Sequence, residues 1–440
     1  MDWNRKDTYL SLGAAVLASA LLVVGLFGLM SGIDKTERKK AHPEKQAKEE
    51  GKTENARNPE SDRIRVVLKT NGFQGIEHKE VSLQAAHGLV LHFGDESKEY
   101  GGKEVVQIAP EDAMFQNGSI TVEAKQEGEK IEVSSLKRGY GIPSYRGKME
   151  LYHSAEGIVV VNELPLEEYL YAVVPSEMPA SYELEALKAQ AVCARSYAVK
   201  QTAEYSYPAY EAHVDDSVSY QVYGNSMEKE NTIQAVNETA GQTVWHKGKV
   251  ATTYYFSTSC GRTTSAEAWG TKPSEANSYL QSVELKGKEG FYEEKLPWYR
   301  WKAVVSEKTL GALISKYTGT DLGALKSVEV TKRGPGDVAL QIKATGEKGT
   351  ATVETENKIR RALGGKGYSI QKNDGKTVKS SELLPSAFFR ITKDGETYKI
   401  EGGGYGHGIG MSQNGANAMA KEGKNYKEIL QTFYQDIEVK

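Results

Sequence analysis

The chain has 440 residues, enough for two domains with separate cores, and its net charge of −3 recommends no nucleic-acid partner. A hydrophobic fraction of 39% places most of it among ordinary globular proteins. Two cysteines, Cys193 and Cys260, exclude a disulfide framework and a Cys-rich zinc site, and sequence leaves open whether they pair. The 25 tyrosines suit sugar stacking or half-buried strand positions equally well.

In chain order, a short tail (1–8) precedes Tyr9 to Ile33, a run without a charged residue. At 1.5 Å per residue it can cross a hydrocarbon core about 30 Å thick, so it predicts a single membrane anchor. It exceeds a signal-peptide apolar region and ends without a small-residue cleavage site, which favours an uncleaved anchor. Lys35, Arg38, Lys39 and Lys40 come soon after it, and flanking charge alone would place the rest in the cytoplasm. Residues 34–62 hold no large apolar side chain and predict a disordered polar tether. From 63 to 157, short alternating runs such as "SITVEAK" and "KMELYHS" predict a β-rich region.

Residues 158–440 read as a mixed domain, making the whole an α+β protein. A buried strand "GIVVV" leads to a helical turn over Leu166 to Val173, then a helix that Ser181 can cap. Leu184, Leu187, Ala191, Ala194 and Ala198 give that helix one apolar face, and Lys188 and Arg195 lie two turns apart on another side. "ENTIQAVNET" predicts a helix, and "TVWHKGKV" two strands joined by a turn. "SEKTLGALISKY" predicts another helix. The glycine-rich "GGGYGHGIGMSQ" leads into a small-residue helix and an amphipathic one.

The chemistry-bearing candidates are few. Glu177, between Pro175 and Pro179 and beside Met178, is placed for partial desolvation, which raises a carboxyl pKa towards that of a general acid. A capping turn explains the same residues. Asp215 and Asp216 could supply a second carboxylate but suit turn capping better. Gln221 and Tyr223 share one face of an extended segment. Ser257 and Ser259 could donate into a cleft. Cys260 with His407 is the raw material of a cysteine nucleophile, on weak evidence. The glycines around Tyr405 and His407 lack the βαβ context of a dinucleotide loop and imply close approach to ligand or backbone.

Taken together, "NELPLEEYLYAVVPSEMP", "LEALKAQAVCARSYA", "SYQVYG", "YYFSTSCGRT", "LPWYRW" and "GYGHGIGMSQNGANAMAKEG" resemble the stage II sporulation protein D and amidase-enhancer domain family. The resemblance implies a peptidoglycan lytic transglycosylase with Glu177 as catalytic acid and base, acting on peptide-stripped glycan strands. It implies substrate contacts from Lys188, Arg195, Gln221, Tyr223, Ser257, Ser259, Tyr405 and His407, with Lys188 and Arg195 on the muramic lactyl carboxylate and away from Glu177. Some members bind zinc through His and Cys just before the "QxY" motif. Ser219 and Tyr220 stand there in this chain, so neither metal nor cofactor is expected. Peptidoglycan as substrate places the domain outside the cytoplasm, against the flanking charge. A sporulation cell-wall amidase and a membrane protein are the expected partners, and a glycan-binding amidase activator without catalysis is the alternative.

Overall fold

The computed structural model describes residues 62–440. The tail, the anchor at 9–33 and the tether up to residue 61 lie outside the described residues. Among those described, no helix is long and apolar enough to cross a membrane.

Alternating apolar residues build an eight-stranded sheet from the first half of the chain. Its strands run in the order Val214–Asp215, Arg63–Leu68, Gly157–Pro165, Lys148–Ser154, Ile120–Ala124, Leu89–Phe93, Glu96–Glu99, with Glu77–His78 also against Gly157–Pro165. The pairing is antiparallel except where Val214–Asp215 lies parallel to Arg63–Leu68. A second sheet joins Val106–Ile108, Val81–Gln84, Ile131–Val133 and Ser144–Tyr145.

This pairing corrects the expected boundary at 157/158. The strand Gly157–Pro165 hydrogen-bonds along the full length of Arg63–Leu68 and Lys148–Ser154, so the β-rich region shares one sheet with the segment C-terminal to it. One apolar core runs from Ile64 in the first strand to Tyr434 near the end. Separate strand-rich composition does not make a separate domain when the central strand comes from the next segment.

Seven α-helices complete the described residues: α1 Leu166–Glu177, α2 Leu184–Gln201, α3 Glu230–Glu238, α4 Glu307–Thr318, α5 Glu356–Leu363, α6 Gln413–Lys421 and α7 Tyr426–Phe433. The expected turn at Leu166 extends to Glu177, with Pro175 inside the helix. Helix α2 starts at Leu184 with Glu183, not Ser181, in the N-cap position; the Glu183 amide is taken by Asn417 Oδ1 at 2.9 Å. Its alanine face lies in the main core.

A second body occupies residues 298–402, inserted between parts of the first. Trp301–Ser306 is the middle strand of a five-stranded sheet, beside a three-stranded sheet running from Leu325 to Glu354. Helices α4 and α5 close its separate core around Leu310, Ile342, Ile359 and Ile400. Ser306 caps α4 through the Thr309 amide, and Gly319 ends it in the left-handed conformation. Val338, Leu340, Ala387 and Phe388 fasten the insert to the main core.

After the insert the chain returns along the glycine-rich segment. Met411–Ser412 pairs in parallel with Tyr255–Phe256, so two stretches more than 150 residues apart meet in a two-residue ladder. Gly410, at φ +74°, sits where a Cβ would collide with the Tyr254 carbonyl oxygen. Only glycine lets the strands approach there.

Candidate functional site

Glu177 is the last residue of α1, where the negative end of the helix dipole disfavours a further negative charge. The helix end is tied down by Ser176, whose Oγ donates to the Ala172 carbonyl at 2.6 Å. The same oxygen accepts from the Asn225 and Ser226 amides at 3.1 and 3.0 Å. That tie brings the segment 221–226 across the helix end. The Val222 amide then donates to Glu177 Oε1 at 2.8 Å, and the Tyr255 hydroxyl donates to the carboxylate as well. From the other side, Gln413 Nε2 donates to the Glu177 carbonyl at 3.0 Å and to Gln190 Oε1 at 3.3 Å.

The residue is half-buried. Its surroundings remove water without supplying a cation: no Lys or Arg lies within ion-pair distance among the described residues. Desolvation therefore wins over the two donors and pushes the carboxyl up to about 7. A carboxylate has about four acceptor positions, and two are used here. The remainder are free for a proton or a ligand.

The other expected site residues fall into three groups. Lys188 and Arg195 do not reach Glu177, and they are occupied elsewhere. Arg195 is 1% exposed and forms a two-pronged pair with Glu167 at 2.8 and 2.7 Å, with further bonds to the Val236 and Gln242 carbonyls at 3.1 Å. Lys188 bridges Glu185 and Glu238 at 2.7 and 2.6 Å. This corrects their expected role: the side of α2 that carries them packs against α1 and α3, and their charge is already neutralised.

The second group is buried behind the carboxylate. Tyr223 packs at a tilt against Tyr145 and Tyr169, with ring centroids 5.3 and 4.8 Å away, and donates to Asn162 Oδ1 at 2.7 Å. Gln221 is buried and donates to the Ala194 carbonyl at 3.3 Å and to the Tyr255 hydroxyl at 3.2 Å. Neither is positioned to touch a ligand directly; together they hold the segment that carries Val222. Of the adjoining acids, Asp215 caps the Ser217 amide at 2.8 Å. Asp216 is fully buried against Arg138 at 2.7 Å, so no second carboxylate faces Glu177 from this segment.

The third group lies on the ladder and its flanks. Ser257 is half-buried, with Oγ 3.1 Å from Thr258 Oγ1, and its carbonyl accepts from Asn414. Half-buried Tyr405 pairs its amide with Thr258 and packs its ring 4.8 Å from Trp298. His407 is locked: Nε2 donates to the Tyr255 carbonyl at 2.9 Å while Nδ1 accepts from the Ile409 amide at 3.1 Å. Burial pushes it down to about 3, so the ring is neutral and both nitrogens are spent. Cys260 has no imidazole partner, and burial pushes its thiol up. The cysteine–histidine arrangement is absent. Cys193 and Cys260 are both free thiols.

Ser259 leads to a carboxylate that sequence reasoning missed. Glu293 is 1% exposed and accepts from the Ser259 amide at 2.9 Å, from the Ser259 hydroxyl, and from Ser412 Oγ at 2.7 Å. Burial pushes it up to about 7 as well. Tyr255, Gln413, Gln190 and Ser176 were also missed, although all four stand inside the family-like motifs. The signal was strand parity: in Tyr255–Phe256 successive side chains face opposite ways, and the one that faces Glu177 is Tyr255.

A family model described as stage II sporulation protein matches residues 154–246, and a model for a domain of unknown function matches 241–410. The chain is 31% identical over 341 residues to stage II sporulation protein D of Bacillus subtilis, covering 72% of this chain and 86% of that protein. It is 32% identical over 298 residues to the amidase enhancer of the same organism, covering 60% of this chain and 39% of that one. An uncharacterised protein of Brachyspira hyodysenteriae is 32% identical over 299 residues, covering 67% and 72%. The segment that holds Glu177 lies within the matched sporulation model, and the chain belongs to the stage II sporulation protein D and amidase-enhancer family.

Proposed function

We propose that the protein is a lytic transglycosylase that cleaves the bond between N-acetylmuramic acid and N-acetylglucosamine in peptide-stripped peptidoglycan, with Glu177 as acid and then base. The observation that carries the reading is a carboxyl near 7, unpaired with any cation, with spare acceptor positions. Near neutral pH both of its protonation states are populated, which a group that first gives and then takes a proton requires.

The protonated carboxyl gives its proton to the bridging oxygen as the bond from that oxygen to muramic C1 breaks, freeing the 4-hydroxyl of N-acetylglucosamine. The carboxylate left behind takes the proton of the muramic 6-hydroxyl, whose oxygen closes on C1. Glu177 ends protonated, and the product is a 1,6-anhydro sugar. An internal nucleophile replaces water, so the second carboxylate of ordinary glycosidases has no task. Val222 N–H and Tyr255 O–H steady the carboxylate when it is ionised, and Gln413 fixes the main chain beneath it.

The family name points to sporulation, and septum thinning and engulfment are the steps we propose for this activity. With an anchor at 9–33, the domain would act outside the membrane on glycan beside a wall amidase and a membrane partner. The match to an amidase enhancer supports a second reading, in which the domain binds glycan and activates the amidase. The full chain in detergent, incubated with peptide-stripped strands, separates them. Wild type yields anhydro-muramic ends, and Glu177→Gln loses about 10²–10⁴-fold of that rate while keeping its fold. Equal product from both proteins overturns the transglycosylase; no product from either, with a partner amidase accelerated by both, supports the activator.

A further inference from the structure

We propose that a basic groove on the insert, separate from Glu177, is a second binding site for carboxylate-bearing glycan; this deepens the glycan reading above and rests on it. A cavity of about 680 Å³ opens between the Cys260–Arg262 turn, the Gly402–Gly403 crossing and the five-stranded sheet. Its volume suits a small-ligand site, and Glu177 takes no part in its lining.

Five cations surround it: Arg262, Arg300, Lys302, Lys372 and Arg390. Two carboxylates, Asp337 and Glu401, face them, and Asp337 is already paired with Arg333 at 3.5 Å. Arg262, Arg300, Lys302 and Arg390 have no carboxylate within ion-pair distance among the described residues. Arg300 is held in place by the Cys260 and Tyr299 carbonyls at 2.9 and 2.8 Å. Lys372 is 8% exposed, and its ammonium has one carboxylate, Asp374, 3.9 Å away, with the Trp298 ring at 5.4 Å. Five cations against two lining carboxylates, with Glu401 directly across the ladder from both Lys302 and Arg390, leave an excess of positive charge, and a bound anion relieves its repulsion.

The groove also suits a sugar. Buried Trp301, Phe388 and Phe389 give it an apolar floor. Gln371 and Asn373 bring amides to it. An apolar floor with a few polar groups is the usual lining of a small-molecule site. The unpaired Glu401 disfavours a doubly charged ligand and leaves a singly charged carboxylate as the better match. A muramic acid stripped of its peptide offers one such group per disaccharide. The site adjoins the Glu177 region through the chain: Cys260 follows Ser259, and Gly403 runs into Tyr405, which pairs with Thr258.

The test uses the full chain carrying Glu177→Gln in detergent, so that bound strands persist. Affinity is measured for peptide-stripped strands, for the same strands with lactyl carboxyls converted to amides, and for a neutral N-acetylglucosamine hexamer. Adding Arg262→Gln, Lys302→Gln and Arg390→Gln, all exposed, weakens the carboxylated strands at least about tenfold and flattens their salt dependence. The neutral hexamer binds as before. Unchanged affinity, an equal loss for amidated strands, or tighter capture of poly(glycerol phosphate) than of glycan overturns the proposal. Charge-dependent binding without any anhydro product from wild type would sink the transglycosylase and leave the groove standing.

Discussion

The helix end at Glu177 and the serine pocket at Glu293 both raise a carboxyl to about 7 by burial, but they use its oxygens differently. Glu293 is enclosed and accepts from an amide and two hydroxyls, all belonging to its own fold. It joins the Ser259 turn to the start of α6 and has little capacity left for a ligand. Glu177 is half-buried, takes one amide and one phenol, and keeps acceptor positions open. A perturbed pKa alone would nominate both. Spare hydrogen-bonding capacity separates a group that can act on a ligand from one that staples two segments together.

A buried charge with a full counter-ion marks the far end of this scale. Arg195→Ala empties a buried position, takes a donor from the Val236 and Gln242 carbonyls and leaves the one-third-exposed Glu167 without its cation, and should cost about 3 kcal/mol. Lys188→Ala removes a bridge between partly exposed acids and should cost under about 1 kcal/mol. Urea unfolding of the two variants checks the difference; a small loss for Arg195→Ala would return it to the pool of ligand-binding residues.

Next comes the pH dependence that an uncompensated buried acid imposes. Glu293 keeps its proton up to about 7 in the folded chain, whereas the unfolded carboxyl loses it near 4.5. The contribution of this group to stability is therefore greatest below 4.5, falls as pH rises between those values, and levels off above 7. The fall attributable to this group is about 3 kcal/mol, at 1.36 kcal/mol per unit. Glu293→Gln should remove that share of the decline between pH 4.5 and 7.5, with anhydro-product release retained. Parallel stability curves for variant and wild type would mean that Glu293 is not held protonated, and the contrast with Glu177 would lapse.

Much of the architecture was legible in the sequence. Helices at Leu184 and Glu307, the Val244–Val250 hairpin and the closing pair of helices arise from periodicity, caps and a turn with Lys247 and Gly248 at positive φ. Glu177 stood out because prolines and Met178 bracket it. What sequence could not show was pairing at long range. The sheet that joins Arg63–Leu68 to Gly157–Pro165 crosses nearly a hundred residues, and the Tyr255–Met411 ladder crosses more. Without those registers, residues within the right motifs were assigned the wrong face. Arg195 faces Glu167, Tyr223 faces the core, and His407 spends both nitrogens on backbone.

Tyr255→Phe probes the electrostatics of Glu177 itself. The tyrosine hydroxyl favours the ionised form, so removing it raises the carboxyl further. A hydrogen bond to a charged group is worth about 1.5–3 kcal/mol, which corresponds to roughly one pH unit or somewhat more. The alkaline limb of the rate profile, where the acid form is lost, should move up by about that much while the rate at its optimum falls less than about tenfold. A limb that stays in place would mean that another group sets it.

The smallest expected effect belongs to Cys260→Ser. The thiol is raised by burial, its nearest acceptor is the Arg262 carbonyl at 4.0 Å, and the histidine that could have activated it, His407, is neutral and fully bonded. A thiol in that state supplies no thiolate near neutral pH. Serine preserves its volume to within a small margin, so the rate of anhydro-product release should stay within about twofold, in keeping with substitutions that disturb no packed or charged network. A drop of tenfold or more would shift the chemistry from the carboxyl at the helix end to the sulfur, and spare acceptor capacity at Glu177 would then lose its functional meaning.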